Sequence, residues 1–453
     1  MNHTSDTWSS QLGFILATVG SAVGIGSIWK FPYEVGSNGG SSFVLFYVAG
    51  LVLIVVPLMF AEFAIGRRGH GDSVASIRAV ALASNTSTRW AVAGLLGVLT
   101  TFLILSFYSV IGGFTIGYAF ETAVRGLPAS DAASVQQSYQ SFIAAPGRLL
   151  AYHALFMAAT AVIVMRGVAN GIETAAKILM PVLAVLMIAL TVYSIVEGDV
   201  IAALRFQFKV DWTALTPRAA LEALGLGFFS IGVGLGLMIT YAAYSRPDID
   251  LKRVALISVL ADTAISFLAG FAVFPIVFAH GLDPASGPGL VFVTLPLAFA
   301  QMPWRTIAAV TFFLLLFVTT LASAISMLEI VTALLMRRFA WPRMPTTVLA
   351  AAACFLSGTA SLLSFNRWAQ YYPLQSVDKF ATATLFDLLD HLTSNVLLPL
   401  GGFAIALFAG WVVPYEMLAK ELRLTPVGAA VLRFMLRYVA PAGIAAATAF
   451  SFA

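Results

Sequence analysis

Long apolar segments constrain this chain more than any other feature of its sequence. We find eleven stretches of roughly 20 or more mostly apolar residues, and a helix of that length crosses the hydrocarbon core of a bilayer. Only 10% of the 453 residues are charged, which is too little polar surface to cover a water-soluble globule of this size. The sequence therefore predicts an all-α integral membrane protein with eleven transmembrane helices. These are centred near residues 11–30, 41–66, 90–120, 147–165, 171–196, 221–245, 254–279, 306–335, 344–364, 385–413 and 430–452.

Lysine and arginine are shared unevenly between the two sides of the predicted bundle. If the N-terminus is cytoplasmic, 16 of the 25 lysine and arginine residues lie on the cytoplasmic side, 8 lie on the other side and Lys30 lies at a helix end. Cytoplasmic loops of membrane proteins are enriched in these residues. We therefore expect a multi-pass protein whose N-terminus is cytoplasmic and whose C-terminus is outside. The same excess accounts for the net charge of +4 without a nucleic-acid partner.

Few residues offer the chemistry of an enzyme or of a transition-metal site. Cys354 is the single cysteine, and the five histidines do not occur at the spacing of metal ligands. No nucleophile stands near a base at a spacing that predicts catalysis. The longest loops, near residues 125–146, 197–220 and 280–305, are too short to contain a soluble domain. We therefore expect no enzyme, and we expect the function to lie in the membrane-embedded part.

Two of the predicted helices are interrupted by glycine. The first contains G-S-A-V-G-I-G-S at residues 20–27, and the sixth contains G-L-G-F-F-S-I-G-V-G-L-G at residues 225–236. A glycine inside a helix costs about 1 kcal/mol relative to alanine, so these clusters need an explanation. Close packing of helices through small residues is one. Unwinding is another, because unwound backbone at mid-membrane offers free amides to an anion and free carbonyls to a cation.

The positions of the two interrupted helices favour unwinding. They open two blocks of similar length, residues 11–196 and 221–413, and paired interruptions at corresponding places are typical of transporters with inverted repeats. We therefore predict a single domain over residues 1–453. Helices 1–5 form one repeat, helices 6–10 form the second, and residues 430–452 form helix 11. Helices 1 and 6 are expected to be unwound at mid-membrane, with a binding site between them.

Six short motifs stand out along the chain. They are Trp8, G-S-A-V-G-I-G-S-I-W-K-F-P at 20–32, N-G-G at 38–40, E-F-A-I-G-R at 62–67, F-F-S-I-G-V-G-L-G at 228–236 and S-A-I-S at 323–326. In this order and spacing they resemble the neurotransmitter:sodium symporter family over essentially the whole chain. The resemblance implies the fold of the bacterial leucine transporter, sodium-coupled uptake by alternating access, and a place in a bacterial inner (plasma) membrane.

The resemblance also implies a substrate site. The substrate carboxylate would meet the backbone at the break of helix 1 and the hydroxyl of Tyr108. Family members that transport monoamines resemble one another in having Asp at the position of Gly24, where it neutralises an amine that has no carboxylate beside it. Gly24 therefore favours an amino acid, and an apolar lining favours an aliphatic or aromatic one. The implied binding residues are Ala22, Gly24, Ile25, Gly26, Ile104, Tyr108, Phe229, Ser230, Gly232, Leu235, Ser323 and Met327.

A first sodium site, completed by the substrate carboxylate, is implied at Ala22, Ser27, Ser230 and Asp262. Oxygen ligands suit a hard cation, and a carboxylate at bilayer depth is costly enough to indicate function. Asp262 replaces the Asn that is common at this position, and it resembles a bacterial substitute for the chloride that animal relatives bind. Tyr47, Ser230 and Ser266 match chloride-site positions, but Leu226 stands where an amide side chain is expected. We therefore expect transport without chloride.

A second sodium site is implied at Gly20, Val23, Thr319 and Ser323. The usual fifth ligand falls on Ala322, whose side chain has no oxygen. A bound water, a shifted register in which Thr320 supplies the oxygen, or a stoichiometry of one sodium would each account for this. The sequence leaves these three open.

The gates match the family in part. Lys30 and Asp390 match the charged pair of the outer gate, and Tyr244 matches the tyrosine of the inner gate. The remainder of the inner gate does not match, because Ser5 stands where Arg is expected and Arg337 stands where an acid is expected.

Helix 5 contains Gly171 and Pro181 with nine residues between them. This spacing resembles one that the family uses to unwind helix 5 and release sodium inward, while a fixed proline kink is the alternative. Two further acids, Glu62 and Glu329, are expected to have hydrogen-bonded structural roles near helices 6 and 1, respectively.

Taken together, these features predict a sodium-coupled symporter that imports neutral, hydrophobic L-amino acids. Its expected partners are the amino acid, sodium and the lipid bilayer; the sequence predicts no oligomeric state. The alternative is a sensor or exchanger of the same fold that binds the amino acid without concentrating it. Ala322 and the unmatched inner gate are the features that favour the alternative.

Overall fold

The computed structural model describes residues 7–128, 130–212, 216–284 and 290–452. The secondary structure over these residues is helical, without strands, which confirms the predicted all-α class. We number the spanning segments α1–α11 in chain order. Their bounds are Gln11–Ala22 with Gly26–Ser37, Ser41–Gly69, Thr88–Arg125, Pro146–Met165, Val168–Glu197, Pro217–Ile231 with Leu237–Ala243, Leu251–Ala279, Arg305–Phe339, Arg343–Leu363, Leu385–Val412 and Pro426–Ala449.

The number of spans depends on how the two broken helices are counted. Within the described ranges, nine helices are unbroken and long and apolar enough to cross a membrane, and α1 makes a tenth if its two pieces, bent by 52°, are one span. The pieces of α6 contain 15 and 7 residues. At about 1.5 Å per residue neither piece crosses a hydrocarbon core of about 30 Å alone. The predicted number of eleven is therefore reached only if the pieces of α6 count together.

The outer half of α1 is longer than the sequence predicts. We expect this helix near residues 11–30, but it continues to Ser37. A π-helical turn covers Gly26–Lys30, and the amide of Phe31 donates to the carbonyl of Gly26. Pro32 then occupies the first turn of the next α-helical segment, where its missing amide is tolerated. Proline therefore does not end this helix.

Polar side chains fix where several spans begin. The hydroxyl of Ser10 accepts from the amide of Gly13 at the start of α1, and Thr216 caps α6 through the amide of Ala219. Such caps satisfy amides that have no partner within the helix. Both broken helices therefore begin at a capped residue.

The two longest spans, α3 and α8, form the most extensive helix pair and make the centre of the bundle. α1 packs against α5, α7 and α8, and α6 packs against α2. Short helices cover the loops at Ser73–Ala83, Ala132–Ile143, Val200–Phe208, Leu290–Ala300 and Tyr415–Glu421. The breaks of α1 and α6 consequently face α3 and α8 in the interior.

Candidate functional site

The breaks in α1 and α6 lie against each other at the centre of the bundle. Gly232, Gly234 and Gly236 have φ angles of +73°, +89° and +74°, a region that L residues with a side chain rarely adopt. At the break of α1, a Cβ on Gly26 would lie 3.1 Å from Cα of Ser230. The glycines are thus required here by backbone conformation and by close approach of the two helices.

A small cavity of about 40 Å³ lies between these breaks and α3 and α8. This volume holds roughly three water molecules, so a larger occupant needs the walls to part. The twelve residues that the sequence predicts as substrate ligands all line the cavity. Three further lining residues, Ser21, Leu237 and Leu398, are absent from that prediction.

The cavity has a polar end at the break of α1. The amide of Ile25 donates to the hydroxyl of Tyr108 at 3.4 Å. A Cβ on Gly24 would lie 3.2 Å from that hydroxyl and 3.1 Å from Oγ of Ser323. The rest of the wall is apolar, with Ile104 and Met327 among its side chains. This arrangement suits an amphipathic ligand with one polar end.

A cluster of hydroxyl groups surrounds the buried carboxylate of Asp262 on α7. Ser27 Oγ donates to one carboxylate oxygen at 2.5 Å, Ser230 Oγ lies 2.9 Å from the other, and the Tyr47 hydroxyl donates at 3.2 Å. Ser27 and Ser230 are themselves 3.0 Å apart. Ala22, the remaining predicted ligand, lies in the adjacent cavity wall. Oxygen atoms from α1, α2, α6 and α7 thus converge as they would around a hard cation.

A second group of oxygens surrounds Ser323 on α8. Its Oγ lies 3.3 Å, 3.1 Å and 3.4 Å from the carbonyl oxygens of Gly20, Val23 and Thr319. The structure thus brings together all four residues predicted for the second sodium site. Ala322 faces the same place, because a Cβ on Gly20 would lie 3.4 Å from its methyl group.

Thr320, the residue proposed to supply a fifth ligand under a shifted register, is not directed toward this group of oxygens. Its hydroxyl donates to the carbonyl of Phe317 in its own helix, at 3.0 Å. The position that faces Gly20 therefore belongs to Ala322 and provides a methyl group rather than an oxygen.

A wide vestibule of about 820 Å³ lies beyond Phe229 on the side away from the N-terminus, and Lys30, Glu34 and His391 are among its lining residues. The predicted gate pair is not formed in this structure. Nζ of Lys30 lies 4.3 Å from the centre of the Phe229 ring, while the carboxylate of Asp390 accepts from Ser394 Oγ at 3.0 Å. The vestibule is open, and the Phe229 side chain separates it from the cavity.

The opposite side of the site is closed by the segment that precedes α1. Trp8 is fully buried, its indole donates to the carbonyl of Tyr241 at 2.8 Å, and its amide donates to the carbonyl of Tyr244 at 3.1 Å. Glu173 at the start of α5 accepts from the amide of Ser9 at 2.7 Å. These contacts fasten the N-terminal segment to α6 and α5. Ser5, which the sequence places in the inner gate, lies outside the described residues.

Glu329 has the hydrogen-bonded role expected of it, but its partners lie outside helix 1. Its carboxylate accepts from the Tyr244 hydroxyl at 2.8 Å and from two nitrogens of Arg343 at 2.6 Å and 3.0 Å. Its partners therefore belong to α6 and to the first turn of α9. Arg337, where the family resemblance leads us to expect an acid, lies 3.7 Å from the carboxylate of Asp72. Burial raises the pKa of Asp72, and Arg337 opposes part of that rise.

Glu62 has the role expected of it. Its carboxylate accepts from the amide of Gly234 at 2.6 Å, so it satisfies backbone that the break of α6 leaves free. In α5, Gly171 lies within a π-helical turn and Pro181 lies inside a helix that continues to Glu197. The segment between Gly171 and Pro181 is therefore helical in this structure.

Comparison with known proteins identifies the family. The sequence profile described as the sodium:neurotransmitter symporter family matches residues 5–141 and 134–452. An uncharacterized sodium-dependent transporter of Bacillus subtilis, YhdH, is 36% identical over 92% of this chain and 90% of its own length. This chain belongs to the sodium:neurotransmitter symporter family. A Haemophilus influenzae sodium-dependent transporter is 31% identical over 94% of this chain and 93% of its own length.

A solved structure gives the same result for the fold. MhsT in complex with L-phenylalanine is 41% identical to this chain, with a TM-score of 0.90 over 99% of this chain and 100% of the MhsT chain. The predicted family and the leucine-transporter fold class are thus confirmed. The protein is a multi-pass membrane transporter of a sodium-dependent family, not an enzyme.

Proposed function

We propose that this chain imports neutral, hydrophobic L-amino acids together with sodium, by alternating access and without chloride. The observation that carries the proposal is the position of the cavity. Its polar end lies at the break of α1, between the hydroxyls of Tyr108 and Ser323, and its wall includes Ser230, which donates to Asp262. Substrate and ion would therefore bind within contact of each other.

The substrate class follows from the two ends of the cavity. Tyr108 and the freed backbone of α1 can donate to a carboxylate, and Gly24 supplies no negative charge to hold a bare amine. The apolar wall then selects an aliphatic or aromatic side chain. The L-phenylalanine complex of MhsT supports this choice because MhsT has the same fold at 41% identity.

The first sodium would bind among Ala22, Ser27, Ser230 and Asp262, with the substrate carboxylate as the last ligand. The charge of Asp262 balances the ion without chloride, and the apolar Leu226 offers an anion no donor. The hydroxyl of Ser323 and the three carbonyl oxygens around it support a second sodium site, whose coordination is incomplete because Ala322 lacks an oxygen. We propose this second site as the weaker of the two.

Alternating access would use the groups that close the two sides of the cavity. Lys30 and Asp390 would approach each other to close the vestibule, and Tyr244 would release Glu329 when the other side opens. The segment from Gly171 to Pro181 would unwind to admit water from that side. The distribution of Lys and Arg supports a vestibule that faces outside and an N-terminus in the cytoplasm, and the family resemblance supports a place in a bacterial inner membrane.

Uptake into proteoliposomes tests the proposal. Purified protein is reconstituted, and accumulation of labelled leucine and phenylalanine is measured with external sodium or choline as the chloride or gluconate salt. An internal negative potential of 100 mV supplies about 2.3 kcal/mol per sodium, so the potential alone lets one coupled sodium support about 50-fold accumulation and two support roughly 2,400-fold. Replacing chloride by gluconate should not change the accumulation.

The same experiment distinguishes the alternatives. Sodium-dependent binding without accumulation would refute the symporter in favour of a sensor. Exchange of internal for external amino acid without net uptake would indicate an exchanger. A requirement for chloride would refute the role proposed for Asp262 while leaving sodium coupling intact.

A further inference from the structure

The short helix Val200–Phe208, which connects α5 to α6, has an exposed apolar face. Ile201, Leu204 and Phe208 are 60%, 45% and 46% exposed, and their spacing of three and four residues places them on one side of the helix. α5 ends at Glu197, so this helix begins where the membrane-spanning part stops. A helix of this kind lies in the membrane interface with its apolar face against the acyl chains.

A cavity of about 750 Å³ lies beside this helix. Its apolar part includes Phe206 of the short helix and Phe278 of α7, whose ring centres are 5.2 Å apart. Trp212, which also lines the cavity, is 71% exposed. Tryptophan is enriched at the level of lipid headgroups, which favours a cavity at the depth where headgroup and acyl chain meet.

The polar part of the cavity has a net positive charge. Arg205 and Lys209 stand one helical turn apart, and Asp211 is the acid that lines the cavity with them. The backbone that carries Lys209 and Asp211 is fixed, because the hydroxyls of Ser41 and Ser42 donate to their carbonyl oxygens at 2.5 Å and 2.6 Å. Lys209 is therefore presented from backbone that is held in place.

The loop before α2 packs tightly on the same helix. A Cβ on Gly40 would lie 2.6 Å from the carbonyl oxygen of Phe206, and the φ angle of Gly40 is +62°. Only glycine meets both conditions without strain. Gly39 and Ser41 line the cavity next to it, so the loop between α1 and α2 forms one wall.

We propose that this cavity binds the headgroup of an anionic glycerophospholipid. Arg205 and Lys209 pair with its phosphate through charge-assisted hydrogen bonds. The acyl chains lie along Ile201, Leu204 and Phe208. This combination of two cations and an adjoining exposed apolar face favours a lipid over a soluble anion, which would leave the apolar face without a partner.

Native mass spectrometry of the purified, delipidated protein tests the assignment. The protein in detergent is titrated with phosphatidylglycerol and, separately, with phosphatidylcholine, and the bound lipids are counted. The wild-type protein should bind phosphatidylglycerol more tightly than phosphatidylcholine. The double variant Arg205→Gln/Lys209→Gln should weaken the tightest phosphatidylglycerol site roughly 30-fold, the effect of two basic residues at an anionic lipid surface. Its phosphatidylcholine binding should not change.

A matched double variant controls for net charge. Arg305 and Arg367 are exposed and do not line the cavity, and the sequence predicts both on the same side of the membrane as Arg205 and Lys209. Arg305→Gln/Arg367→Gln should therefore keep the lipid preference. The proposal would be overturned if both double variants lost phosphatidylglycerol affinity equally. It would also be overturned if Arg205→Gln/Lys209→Gln kept the preference for phosphatidylglycerol. Displacement of the lipid by soluble glycerol phosphate would overturn it in favour of a soluble anion.

A single variant keeps the test usable if the double variant misfolds. The side chain of Lys209 is exposed, and Lys209→Gln alone should weaken phosphatidylglycerol binding about fivefold. Circular dichroism and gel filtration check the fold of each variant. Unchanged phosphatidylglycerol binding in a folded Lys209→Gln protein would contradict the role of this cation.

Discussion

Replacing Asp262 by asparagine removes one negative charge from the hydroxyl cluster while keeping the side chain nearly the same size. Ser27, Ser230 and Tyr47 contact the carboxylate at 2.5 Å, 2.9 Å and 3.2 Å. The asparagine oxygen can still accept hydrogen bonds and coordinate a cation. We therefore expect the fold to survive Asp262→Asn and the loss to appear in the free energy of sodium binding.

The size of that loss follows from electrostatics. Two unit charges 4 Å apart interact by about 4 kcal/mol at an effective dielectric constant of about 20, and an ion bound to Ser27 and Ser230 would lie no farther than this from Asp262. The cost of burying the carboxylate offsets part of the interaction. We expect a net loss of about 2 to 3 kcal/mol, which is about 30- to 150-fold in sodium affinity.

Sodium titration of labelled-leucine binding to purified protein measures this loss. The matched control is Glu222→Gln, which removes the same charge from α6 at the vestibule, where the Glu222 side chain is 40% exposed. The control should keep the wild-type sodium affinity. A change of less than about twofold in Asp262→Asn would refute Asp262 as a sodium ligand. Rescue of the variant by chloride would refute the reasoning that Leu226 prevents anion binding.

Four further substitutions test the rest of the site. Tyr108→Phe should weaken leucine binding about 10- to 150-fold, because a hydrogen bond to a charged group contributes about 1.5 to 3 kcal/mol; unchanged affinity in a competition assay would place the carboxylate elsewhere. Gly24→Asp should abolish leucine binding at all sodium concentrations, since its carboxylate would lie against that of the substrate, and any retained binding would contradict this placement. Ala322→Ser adds an oxygen facing Gly20 and should raise sodium affinity severalfold in the same titration; a fall would argue against an ion there. Arg343→Ala removes the ion pair of the buried Glu329 carboxylate at a cost of about 3 to 5 kcal/mol, so it should lower the melting temperature. Glu329→Gln/Arg343→Ala should recover part of that loss. No recovery would show that the carboxylate is not the source of the loss.

The candidate cavity could be predicted from sequence because its residues lie in short motifs with fixed backbone roles. Gly24 and Gly26 belong to one glycine cluster and Phe229 and Gly232 belong to the other. Each cluster breaks a helix at mid-membrane, so residues next to the breaks necessarily face the interior. Leu398 was missed because it lies in α10, in an apolar run that carries no pattern to separate a cavity-lining side chain from a lipid-facing one.

Contacts between distant helices were less predictable. Lys30 and Asp390 were paired by resemblance, but their distance depends on how far the vestibule is open, which no sequence pattern encodes. The sequence contains a pattern from which the partner of Glu329 could have been predicted. Arg343 begins α9 directly after Pro342, and the connection from α8 is short, so an arginine in the first turn of α9 necessarily returns beside the last turns of α8.

The two oxygen clusters share residues with the cavity, and under the proposed function this sharing would be the physical basis for coupling. Ser230 lines the cavity and donates to Asp262. Ser323 also lines the cavity, and its hydroxyl is within 3.3 Å of the carbonyls of Gly20 and Val23. An ion that reorients either hydroxyl changes a group that a substrate at Gly24 would contact. Because linkage is reciprocal, the substrate must change ion affinity by the same factor. A break in α1 bordered by these two oxygen clusters would therefore make the binding of ion and substrate interdependent. Ion and substrate sites with no residue in common would lack this direct link.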